Sequence, residues 1–168
     1  MNPSVDINNR EELRRLLLTL DPAAVPVWGK MTPQQMVEHL VDQVQWTNGK
    51  KIPACDVSAE KAERSKRVMI YTDAQIPKNV FLGDLPEHYG YPDMETAINQ
   101  LMTELDEFDR YFKEPGVTCI HGGFGPMDHN EWVIWHNKHF THHLKQFNLI
   151  WPIPVFKFWR CHQPNTLN

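Results

Sequence analysis

Apolar positions recur at three- and four-residue spacing in four stretches of the chain, and each stretch carries helix-end signals. Between Asn9 and Leu20, the residues Leu13, Leu16, Leu17 and Leu20 form one stripe, with Glu11, Glu12, Arg14 and Arg15 off it. Asp21-Pro22 stops that helix and Pro26 keeps the connection open. Thr32-Pro33-Gln34-Gln35 opens the second helix with a capping hydroxyl, a proline at the first helical position and a glutamine at the third. Met36, Leu40 and Val44 mark its apolar face, His39 lies on the edge of that face, and Asn48-Gly49 ends it. Asp93 caps a third helix, whose stripe of Met94, Ile98, Leu101, Leu105, Phe108 and Phe112 runs unbroken towards Pro115-Gly116. Asp128-His129-Asn130-Glu131 begins the fourth, with a carboxylate at the cap and another at the third position, and the pattern continues to Phe147.

Residues 48–92 follow no such period. Lys50 to Asp56 reads as loop, and Ser58 caps a charged helical segment from Ala59 to Met69. Beyond it Ile76-Pro77, Leu85-Pro86 and Tyr91-Pro92 keep the chain extended. Long loops in compact domains often border a site, so Pro77 to Tyr91 and the Gly122–Pro126 turn are expected at its mouth. The run His121-Gly122-Gly123-Phe124-Gly125-Pro126 matches neither GxGxxG nor a P-loop, and reads as a turn entering the fourth helix. With no strong strand alternation, the four helices predict an all-α four-helix bundle over residues 1–150. Residues 151–168 form a separate aromatic and proline-rich tail, WPIPVFKFW, in which proline opposes a long helix. Trp151, Phe156 and Trp159 are costly to leave in water, so the tail is expected to pack on the bundle or on a partner subunit.

The length of 168 residues fits one domain with a core of its own. Lys and Arg number 17 against 21 Asp and Glu, a net charge of −4, which opposes binding to nucleic acid or to an anionic membrane surface. No apolar run approaches the ~20 residues that span a bilayer. MNPSVDINNREEL lacks the basic and apolar regions of a secretory signal. Cys55, Cys119 and Cys161 are widely spaced, with no CxxC, which suits reduced thiols in a cytoplasmic protein.

Histidine changes the picture. Of nine in the chain, five lie between His129 and His143. Residues on a helix turn by about 100°, so His139 and His143, four apart, stack on one face, which Trp132 and His136 share. His142 is turned away by one such step. A pair of imidazoles at this spacing can meet one metal ion, and a catalytic site takes a third protein ligand from elsewhere. His39 is the only other histidine on a predicted bundle helix. Asp42 and Gln43, one turn beyond it, are candidates to hold an imidazole N–H or a bound water, as are His136 and Gln146. Met36 and Trp132 are candidates for the walls of an apolar pocket. The same histidines also suit a helix that carries them for solvation or in its core. The zincin pattern HExxH is absent, because His136-Asn137-Lys138-His139 has no Glu in the general-base place.

The ordered set WGKMTPQQMVEHLVDQ, HGGFGP, EW and KHFTHHLKQF resembles the DinB-like (YfiT-like) metal-binding superfamily, and most closely an uncharacterised branch of it. That superfamily has one histidine on its second helix and a HxxxH pair, often followed by xxQ, on a later one. The resemblance covers about residues 8–150. It implies an up-down-down-up four-helix bundle, often a homodimer, holding one divalent ion, usually nickel or zinc, on His39, His139 and His143. It also implies a metal-dependent enzyme acting on a small molecule. Relatives include S-transferases and isomerases that use a low-molecular-weight thiol, and hydrolases. The alternative is a non-catalytic metal-binding module that acts through dimerisation. The 151–168 tail has no counterpart in the superfamily.

Overall fold

The structure, a computed structural model, describes residues 4–80 and 85–150. The expected packing of Trp151–Trp159 lies outside the described residues. The chain is mostly helical. Its elements are α1 (Arg10–Leu18), α2 (Pro33–Gln45), α3 (Ala59–Tyr71), α4 (Met94–Tyr111), β1 (Cys119–His121), β2 (Gly125–Met127) and α5 (His129–Gln146). The four apolar stripes become α1, α2, α4 and α5, and the charged segment after Ser58 becomes α3. Among the described residues no helix is long and apolar enough to cross a membrane.

The caps form as the sequence predicts. The Thr32 hydroxyl accepts from the Gln35 amide while the Gln35 side chain accepts from the Thr32 amide. Asp128 and Glu131 repeat this reciprocal arrangement at the start of α5. Asn9, Ser58 and Asp93 cap α1, α3 and α4. Each cap satisfies an amide that the first turn leaves without a helical partner.

One element was not predicted. Residues expected to form only a turn make a two-stranded antiparallel hairpin, with Cys119 opposite Met127, Ile120 opposite Pro126 and His121 opposite Gly125. Gly125 takes the left-handed φ of 71° that closes the hairpin onto β2. The hairpin delivers the chain to the Asp128 cap and so sets where α5 begins.

The core lies where α2 packs along α4 and where α1 packs on α4. Met36, Val37, Leu40 and Val44 of α2 meet Ile98, Leu101, Leu105 and Phe108 of α4, and Phe140 and Leu144 of α5 complete the cluster. Trp132 is buried there and donates its indole N–H to the Cys119 carbonyl at 3.2 Å. Glu104 of α4 is buried too, with its side chain only 1% exposed. It accepts from Lys50, Gln45, Asn48 and Gln100. Burial pushes its pKa up, but the Lys50 ammonium and the three amides outweigh burial and hold it below the ordinary value. This satisfied carboxylate ties the end of α2 and the loop behind it to α4.

α5 is anchored along its length. Thr141 and Asn137 accept from the amides of Val5 and Ile7. The Lys138 ammonium donates to the carbonyls of Met69, Thr72 and Ala74, closing the end of α3. α3 also packs on β2.

Candidate metal centre

α2 and α5 bring three imidazoles together. His39 projects from α2, and His139 and His143 project one turn apart from α5. Their candidate ligand atoms all lie within 4.8 Å of one another. His139 Nε2 is 3.2 Å from His39 Nε2 and 3.0 Å from His143 Nε2. The three ring centroids stand 4.7–5.1 Å apart. His139 and His143 are buried and His39 is half-buried.

The protons can be counted. Gln146 donates its Nε2–H to the Trp28 carbonyl at 2.8 Å, which fixes the orientation of the amide. Its Oε1 therefore faces His143 Nδ1, at 2.8 Å, and accepts the proton there. His143 Nε2 is left as a lone pair. A ring nitrogen carries either a proton or one in-plane lone pair, never both. If His139 Nε2 carries a proton, it donates to His143 and has nothing with which to accept from His39. If it carries a lone pair, it faces the lone pair of His143. With neutral rings, one of the two close N···N contacts is always unsatisfied. A cation between the three nitrogens satisfies both contacts at once. Nitrogens about 2.1 Å from one tetrahedral ion stand roughly 3.4 Å apart, close to the separations here.

The surroundings keep the rings neutral. Burial holds His143 down to about 3, with the neighbouring His39 adding to the effect. Burial, and then the charges of His143 and His39, place His139 well below the ordinary histidine value. Burial also lowers His39, against the pull of the Asp42 carboxylate. Neutral imidazole is the form that ligates a metal.

The other expected residues fall in different places. Gln146 stands against His143, with its Oε1 2.8 Å from Nδ1. Asp42 influences His39 through its charge, but its own bonds go to Lys51, Trp46 and Gln43. His136 is fully buried and lies 3.1 Å from the Thr47 hydroxyl through Nε2, among Phe108, Trp132 and Phe140. Thr47 gives its own proton to the Val44 carbonyl, so His136 Nε2–H is the donor to Thr47. Met36 and Trp132 belong to the core rather than to a pocket wall. His142 is not one of the three whose ligand atoms converge. Its ring meets Trp28 at 5.5 Å and stands edge-on to the His143 ring at 5.2 Å.

Two aromatic neighbours were not anticipated. Trp135 stacks on His139, with centroids 5.7 Å apart and planes inclined by 11°. It also meets His121 and Phe124 edge-on, which links the hairpin to the trio. Trp28 supplies the carbonyl that orients Gln146. Trp135 was legible as lying one turn before His139 on α5, whereas Trp28 sits in a loop without periodicity. Of the two segments expected at the mouth, the loop after Pro77 contributes Asn79, Val80 and Leu85 to a cavity beside His143. No protein-family profile, curated protein or solved structure matches this chain.

Proposed function

We propose that the protein is a divalent-metal protein in which His39, His139 and His143 hold one ion through Nε2, with the remaining positions left for water, a thiol or a small-molecule substrate. The observation that carries this reading is the proton count: three ring nitrogens share one point, and no arrangement of protons on neutral rings satisfies all of them. The ordered motifs of the sequence support the more specific reading, a DinB-like metal-dependent S-transferase or hydrolase, dimeric and cytoplasmic. Nickel and zinc both suit three imidazoles. A bound divalent ion supplies acidity, bringing a coordinated thiol or water towards ionisation near neutral pH. The chain supplies the rest. Gln146 keeps the His143 proton on Nδ1, burial keeps the rings uncharged, and Trp135 covers one face of His139.

Zinc uptake measured by elemental analysis and chelator competition tests the centre. One ion per chain is expected. His143→Ala should abolish tight binding, while His142→Ala should keep it, because His142 is not among the three histidines whose ligand atoms converge. Equal binding by the two variants would show that the trio is misassigned. A screen of the loaded protein for thiol transfer and for ester or amide hydrolysis then separates the two enzyme classes.

A further inference from the structure

A cavity of about 60 Å³ opens beside His143, lined by residues 28–31 and by Asn79, Val80 and Leu85. Of the three converging histidines only His143 is in its wall, so the cavity meets the trio on that side. Trp28, Met31, Val80 and Leu85 supply apolar lining, and no Asp or Glu lines the cavity among the described residues. The polar residues of the wall are already engaged. Gln146 uses both ends of its amide, on His143 Nδ1 and on the Trp28 carbonyl. Asn79 Oδ1 accepts from the Gly29 amide at 3.2 Å. His142 has the Ile76 carbonyl as a hydrogen-bond partner, and Lys30 has an interaction of its own. What the wall still offers an incoming group is mainly apolar surface.

The walls are held in place by contacts that need no ligand. The bonds from Gly29 to Asn79 and from Gln146 to Trp28 tie facing sides together, and the Lys78 ammonium lies 4.0 Å from the centroid of the Trp28 ring. Gln35 donates to the Pro86 carbonyl at 3.0 Å, beside Leu85 in the chain. Size then limits the occupant. Sites for drug-sized molecules have roughly 300–1,000 Å³, whereas this cavity has room for only a few water-sized groups.

We propose that this cavity is the specificity pocket of the metal centre and takes a short unbranched apolar group, of about three carbons, attached to the atom that binds the ion. The donor atom rests on the metal reading, while the apolar pocket stands on its own residues. A polar analogue binds less well because a hydroxyl taken out of water finds no partner on Met31, Val80 or Leu85.

The probes are 1-propanethiol and 2-mercaptoethanol, which match in length and differ in a terminal methyl against a hydroxyl. Cobalt(II) in place of zinc makes binding visible, since a thiolate on the ion gives a charge-transfer band. In the full chain loaded with cobalt, 1-propanethiol should bind at least about tenfold tighter than 2-mercaptoethanol. Val80→Asn and Met31→Gln should each cut that preference by about threefold or more. Val80 is 57% exposed, so its replacement leaves the core intact. Loss of preference in either variant supports the pocket. A wild-type ratio near one, or a preference unchanged in both variants, overturns the pocket and leaves the metal centre standing. A chain that takes up no cobalt overturns the centre, and the pocket is then read by NMR at the Met31 methyl, assigned by its loss in Met31→Leu. A saturable shift there with 1-propanethiol and none with 2-mercaptoethanol keeps the apolar pocket; no shift with either overturns it as well.

Discussion

Gln146 holds a proton and a loop with a single amide, one end on His143 and the other on the Trp28 carbonyl. Replacing it by Leu removes both bonds. Residues that orient a metal ligand typically contribute 10–100-fold in metal affinity, so Gln146→Leu should weaken zinc binding by about that factor in chelator competition. Gly29 offers a second route to the same place. A Cβ there would stand 2.5 Å from Gln146 Nε2, on a backbone with a φ of 80°. Gly29→Ala should therefore displace the amide and lower zinc affinity, although residue 29 touches no ligand. Normal affinity in both variants would remove Gln146 from the site. The three converging histidines were readable from the sequence because His139 and His143 declare themselves by spacing and His39 by its place on a capped helix. The partnership of Gln146 with Trp28 was not readable, since 118 residues separate them and only the folded chain brings them within reach.

The helices were legible because their ends carry side chains with one mechanical purpose. Thr32 with Gln35, and Asp128 with Glu131, could be read from four letters each. The hairpin could not. Its strands have three residues apiece, too few for an alternation to show, and Pro126 and two glycines in its loop read locally as a turn. The end of α3 was legible only in part. Met69 was its expected limit, but the helix runs on to Tyr71, and the Lys138 ammonium from α5 closes it on three carbonyls at 2.6–3.2 Å. Lys138→Met should destabilise the chain by about 1–3 kcal/mol, seen as a lower urea midpoint with an unchanged slope. Amide exchange should rise first in the last turn of α3. A variant with the wild-type midpoint would mean that α3 ends on its own propensity.

The whole molecule stores several neutral imidazoles, and this sets its response to acid. Burial holds His136 down to about 3 and His121 to about 4. In the unfolded chain both return to the ordinary value of about 6.5. The unfolded state therefore binds more protons than the folded state below that pH. Stability is complete above about pH 6.5 and is lost as the pH falls towards 3 or 4. For the fully buried His136 the slope is about 1.4 kcal/mol per pH unit. Melting temperature of the metal-free chain should drop between pH 7 and 5, above the range in which ordinary carboxylates titrate. His136→Gln should flatten part of that drop. A melting temperature unchanged from pH 7 to 5 would contradict the burial of these rings.

His39 and His139 lie 100 residues apart in the chain. On a ribosome adding about 5–20 residues per second, roughly 5–20 s separate the making of the first histidine from the making of the second. For that interval the nascent protein holds one imidazole of the three, since α5 carries the other two. On the metal reading, uptake of an ion can follow only once α5 has been made, when α2 and α4 are both already available to pack. An ion held by the trio would tie α2 to α5 across those 100 residues, and its loss would free the two helices from that tie.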